Sequence, residues 1–233
     1  MGHAAGADGC RGGWLCVKRE GDSASLRASV HPTAGQMLES LGGNAVLCID
    51  IPIGLTDAGP RTCDLEARAL LGRRGSSVFP APIRPMLKAG SYGEACEIGR
   101  QRAGKALSKQ CWAIVPKIDE VDRALRTLAA TGPTVREVHP EVCFATWAGH
   151  PMQHGKKHVE GRRERLALVA GYFGPDAYRS VREQVGSAHA ADDDVLDALA
   201  ALRTAERVLA GAHQTLPADP PRDSCGLPME IVY

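Results

Sequence analysis

With 233 residues, 44% of them hydrophobic, the chain is long enough to bury the core of one large domain or of a domain carrying an insertion. A net charge of +1 excludes a global basic field as the means of attracting nucleic acid, although a local basic face is compatible with it. No stretch approaches the ~20 apolar residues of a membrane span, and the N-terminus lacks a charged-then-apolar secretory pattern, so a cytoplasmic protein without membrane contact is expected.

The eight cysteines, at positions 10, 16, 48, 63, 96, 111, 143 and 225, form no C-x-x-C pair, and several sit inside apolar runs. They read as small buried hydrophobes of a reducing compartment, and the missing paired-ligand spacings argue against structural zinc.

In chain order, the first fifty residues predict strand, turn, strand, strand, helix, strand. Gly12-Gly13 marks a hairpin into Trp14–Lys18, Asp22-Ser23 a second turn, and Ser25–Val30 a third strand. A helix over about Thr33–Leu41 then leads to the apolar strand closing on Asp50, ahead of Pro52. This is a three-strand meander followed by a crossover to a further, parallel strand. From Gly54 to Pro116 the pattern becomes helical segments broken by proline and glycine, including 64–71 and 92–110, and predicts an insertion that could cover a cleft. Ile118–Leu128 predicts an amphipathic helix, Val135–Val138 a short strand, the second half of 155–170 a helix, and Asp193–Ala210 a long helix. The proline-rich tail 217–228 is expected to wrap the surface.

Five acids stand where chemistry is expected. Asp8 and Asp50 lie near strand ends, and an unpaired carboxylate among isoleucines is costly unless something compensates it. Asp194 and Asp197 are three residues apart in the first turns of the last helix, on neighbouring sides of one turn. Glu137 closes a strand before His139-Pro140-Glu141. Alternation would place Glu137 and His139 on one face, with Glu141 in the first helical turn; Glu137 is the ligand candidate, and Glu141, the alternative, also suits a first-turn acid. Carboxylates gathered within ~4 Å repel by about 4 kcal/mol per pair at an effective dielectric of 20, so such a cluster calls for a cation. Mg²⁺ or Mn²⁺ takes oxygen ligands and supports phosphodiester hydrolysis. Asp192 and Asp193 can instead serve the helix dipole. Arg73 and Arg74, Lys117, and the tract holding Lys156, Lys157, Arg162, Arg163 and Arg165 are candidate phosphate contacts. Trp14, Trp112 and Trp147 read as packing residues rather than base-stacking platforms.

The ordered set ADGCRGGW (7–14), IDIPIGL (49–55), residues 61–74, SSVFPAP (76–82), LSKQ with VPKIDEVD (107–122), REVHPE (136–141) and DDVLDALAA (193–201) resembles a bacterial and archaeal family of unknown function. Its members are predicted to be RNase H-like nucleases, and the D-x-x-D-A of 194–198 is similar to the last helix of Holliday-junction resolvases. The resemblance implies one RNase H-like α/β domain over 1–233, a mixed sheet flanked by helices, with 54–116 inserted. It implies metal ligands at Asp8, Asp50 and Asp197, with Asp194 or Asp193 alongside and Glu137 as a further acid. The expected function is Mg²⁺- or Mn²⁺-dependent hydrolysis of DNA or RNA; a homodimer is left open. Two other readings use the same features. An acid beside a glycine-rich hairpin also opens sugar kinases and actin-like ATPases, and a non-catalytic binding module could keep the scaffold.

Overall fold

The computed structural model describes residues 2–19 and 25–233. The predicted turn at Asp22-Ser23 lies outside them. In chain order the elements are β1 (His3–Cys10), β2 (Gly13–Arg19), β3 (Leu26–His31), α1 (Ala34–Leu41), β4 (Ala45–Asp50), α2 (Thr62–Leu71), α3 (Tyr92–Ala103), α4 (Lys109–Thr127), β5 (Thr134–Glu137), α5 (Pro140–Ala148), α6 (Val159–Phe173), α7 (Ala177–Val185), α8 (Asp192–Leu209), β6 (Thr215–Leu216) and β7 (Ile231–Val232). Two compact units result: residues 1–50, 129–214 and 232–233 form the first, and 51–128 with 215–231 the second.

The first unit is a mixed five-stranded sheet, ordered β3-β2-β1-β4-β5, flanked by helices. β1, β2 and β3 form the antiparallel meander; β4 runs parallel to β1, and β5 parallel to β4. The small residues of β1 explain its central place. Ala4, Gly6 and Asp8 share one face, and a Cβ built on Gly6 would stand 2.0 Å from the Leu202 nitrogen and 2.3 Å from the Ala198 carbonyl oxygen. The backbone of α8 therefore rests directly on β1, an approach open only to glycine. On its other sides α8 meets α5, α6 and α7. Residues 195–202 are buried around the full circumference of the helix, the condition in which small and apolar residues occur on every face.

The second unit has its own apolar cluster, built from Ile83, Met86, Ala95, Cys96, Leu107, Cys111 and Val115. The expected helix over 92–110 is divided: α3 ends at Gly104 in the left-handed conformation, and Ser108 then caps α4 by accepting from the Cys111 N–H at 3.1 Å. α4 runs through Pro116 instead of stopping there, so the segment expected to start at Ile118 begins at Lys109. Proline removes one backbone donor and ordinarily ends a helix, but Val115, Ile118, Val121 and Asp122 are buried along this one.

The proline-rich tail does more than wrap a surface. Asp223 accepts backbone N–H groups from Leu55 at 2.9 Å, Cys225 at 2.8 Å and Leu227 at 2.9 Å, and pairs with the Arg84 guanidinium. Arg84 also reaches Asp122 at 2.9 Å. Burial alone would raise the Asp223 carboxyl; those N–H groups and Arg84 outweigh it and hold it below the usual range. Seven cysteines are buried and Cys225 is exposed, all of them free thiols. Among the described residues, no helix is long and apolar enough to cross a membrane.

Candidate metal centre

Asp8 and Asp50 are register partners on the adjacent parallel strands β1 and β4, so both carboxylates emerge side by side at the same level of the sheet. Asp197, on the second turn of α8, is brought over them by the contact at Gly6, since Ala198 is the residue that Gly6 meets. One oxygen from each of the three acids lies within 4.8 Å of the others. Around Mg²⁺, with bonds of 2.0–2.1 Å, neighbouring ligand oxygens stand ~3 Å apart and opposite ones ~4 Å, so three oxygens gathered this closely can converge on one small hard cation by drawing together. An all-carboxylate donor set is of the kind that suits hard cations rather than metals that favour thiolate or imidazole.

Asp8 and Asp197 are buried and Asp50 half-buried. Burial raises all three carboxyls above the ordinary aspartate range, which is the expected response of a charge withdrawn from water. For Asp8, Asp50 and Asp197 add to it, and the shift is large. Asp50 rises to about 6, with the Lys156 ammonium opposing and Glu141 reinforcing. Asp197 rises to about 7 although Lys156 lies beside it, because burial outweighs the ion pair.

Lys156 is the cation the chain itself supplies. Its Nζ lies 2.6 Å from Asp197 Oδ2 and 3.2 Å from Asp193 Oδ2. Burial acts to lower it, but Asp197, Asp8 and Asp193 outweigh burial and hold the ammonium above the usual lysine range. On sequence it is one of several basic residues suited to phosphate; in the structure it turns into the acids. Arg165, from the same tract, is 0% exposed and ion-paired with Glu141. Arg162 pairs with Asp192 at 2.8 Å and donates to the Tyr178 hydroxyl at 2.9 Å. Lys157 and Arg163 are exposed in the first unit, while Arg73, Arg74 and Lys117 belong to the second.

Glu137 and Asp194 fall outside the set of three. Glu137 is buried at the end of β5, in register with Ile49, one position before Asp50. Asp194 turns back to accept the Ala191 N–H at 2.7 Å and so helps to start α8. Glu141 lies close enough to act on Asp50, but its charge is met by Arg165. Cys143 on α5 lies near the same acids. Burial holds its thiol at about 12, Thr204 donates to its sulfur at 3.3 Å, and Asp50 and Asp197 both act on it electrostatically. It is thus a protonated, weakly polar residue close to the carboxylates. A cysteine inside Glu-Val-Cys-Phe gives no sign of this in sequence.

The fold and this acidic centre define a mixed α/β protein with a group of three aspartates that could hold a metal ion. The chain belongs to the family described as "Protein of unknown function (DUF429)", which it matches over residues 6–222, a span containing all three acids. No curated protein and no solved structure matches it.

Proposed function

We propose that the protein is an RNase H-like, Mg²⁺- or Mn²⁺-dependent nuclease that hydrolyses phosphodiester bonds of DNA or RNA. The observation that carries this reading is the convergence of Asp8, Asp50 and Asp197 from two adjacent parallel strands and a helix laid across them. The strand order, with an antiparallel meander leading into parallel strands, supports the same reading. In hydrolysis, water adds its oxygen to phosphorus while the P–O bond to one nucleoside breaks and the departing oxygen takes a proton. A divalent ion held by the three aspartates supplies Lewis-acid chemistry: it lowers the pKa of water and offsets charge on the phosphate.

The residues of the chain do the remainder. Asp8, Asp50 and Asp197 hold the ion. Asp194 secures the first turn of α8 and thereby the position of Asp197. Lys156 offsets part of the acidic charge that would repel a phosphate, and Lys157, Arg162 and Arg163 offer phosphate contacts on the same unit.

The test is a cleavage screen of single-stranded, duplex, hybrid and branched DNA and RNA with Mg²⁺, Mn²⁺ or EDTA. Cleavage of at least one class with either metal and none in EDTA is expected. Binding that is equal with and without EDTA, with no cleavage of any class, would instead indicate a non-catalytic module.

A further inference from the structure

The lysine beside the carboxylates bears on how many ions the centre takes. Nuclease centres built from several carboxylates can hold two divalent ions 3.5–4 Å apart, with one carboxylate shared between them. Here the Lys156 Nζ already lies 2.6 Å from Asp197 Oδ2. A second ion approaching that oxygen from the side the lysine occupies would meet the ammonium, whose place it would have to take.

The lysine is held in this place by its loop. The Glu164 carboxylate accepts the N–H groups of Gln153 at 3.1 Å and His154 at 3.4 Å. The buried Arg165 donates to the carbonyls of Gly161 at 2.6 Å and His154 at 3.3 Å. The His158 N–H bonds the Gly155 carbonyl at 2.9 Å. A Cβ on Gly161 would stand 2.2 Å from that same carbonyl oxygen, so the loop lies flat on α6 only because glycine is there. With the backbone fixed on both sides of residue 156, its side chain starts from a set position beside the acids, and the pairs with Asp197 and Asp193 hold the ammonium there.

The charges agree with this geometry. The three converging aspartates and one ammonium leave two negative charges, which a single divalent ion balances; Asp194, which also acts on Asp8, stands outside that count and is bonded to the Ala191 N–H. Glu141 is cancelled by Arg165. Asp193, whose side chain is 37% exposed, is screened by water.

We infer that Lys156 takes the place of a second metal ion, making this a one-ion centre in which the ammonium is the other cation facing the phosphate. The inference rests on the metal-dependent reading above. It is tested by counting Mn²⁺ bound to the intact chain by calorimetry and by electron paramagnetic resonance, in wild type, Lys156→Met and Lys156→Arg. One ion per chain is expected in wild type and in Lys156→Arg, which keeps the charge. Two ions, with the spectrum of a coupled manganese pair, are expected in Lys156→Met. Two ions in wild type, or one in a folded Lys156→Met, would overturn the role of Lys156 while leaving the metal centre intact. No Mn²⁺ in wild type would overturn both.

Discussion

Asp50→Asn is expected to lose metal-dependent cleavage by a factor of at least ~10³ while making the metal-free protein more stable at pH 8. The first effect follows from removing one of three charged ligands. A loss of that size corresponds to about 4 kcal/mol of transition-state stabilisation, within the range for groups that act on developing charge. The second follows from the sign of the shift. The Asp50 carboxyl rises from an ordinary 3.8 to about 6 in the folded chain, chiefly because it is buried. Between those values the folded state holds the proton more tightly, so unfolding releases it and stability falls as pH rises through the window. Above about pH 6 the full penalty applies, up to about 3 kcal/mol at 1.36 kcal/mol per unit. Asparagine removes it. Urea unfolding in EDTA should therefore show the variant more stable than wild type at pH 8 and equal to it near pH 3. Added Mn²⁺ should reverse the order at pH 8, because a ligand stabilises only the chain that binds it. A variant less stable than wild type at pH 8 in EDTA would show that the carboxylate is satisfied without a metal.

Gly6→Ala should be the most damaging single methyl addition in the first unit. The new carbon would stand 2.0 Å from the Leu202 nitrogen, 2.3 Å from the Ala198 oxygen and 2.6 Å from the Leu202 Cα, all of them backbone atoms. No rotamer can relieve this, so α8 must move off β1. Overpacking of a core costs ~1–3 kcal/mol when side chains can adjust. With backbone on both sides the cost should reach or exceed about 3 kcal/mol. The same shift carries Asp197 away from Asp8, so Mn²⁺ affinity should fall at least tenfold in whatever protein remains folded. Gly171→Ala is the control. It lies in α6 with nothing within 4 Å of its Cβ, and should stabilise by ~0.5–1 kcal/mol through helix propensity. Gly6→Ala within 1 kcal/mol of wild type, with unchanged metal binding, would refute the account of how α8 is seated.

The sequence carried the strands of the first unit because their patterns are local: the glycine hairpin, the apolar run closed by Asp50 and Pro52, and the meander in between. The small Ala201 and Thr204, on the aspartate side of α8, are buried with it and mark a helix that packs on more than one side. The register that sets Asp8 beside Asp50 was beyond it, because pairing depends on two strands separated by a hairpin and a crossover. Whether Asp194 or Asp197 joins them was equally beyond it. Both fit the spacing, and only the bond from the Ala191 N–H to Asp194 separates a helix-starting acid from one facing the sheet. Lys156 looked like one basic residue among several because its partner lies 41 residues away. Asp223 did leave a local sign: its bond to the Cys225 N–H, two residues on, is an Asx turn of the kind that Asp-x-Cys-Gly can form. Its bonds to Leu55 and Arg84 left none.

The most direct test of the metal centre is calorimetric titration of Mn²⁺ into the purified chain and into a folded Asp8→Asn variant, since it requires no knowledge of the substrate. Saturable binding to wild type that the variant loses is the predicted result. Binding of equal strength in both, or none to wild type at millimolar Mn²⁺, would contradict the assignment of Asp8, Asp50 and Asp197 as a cation site.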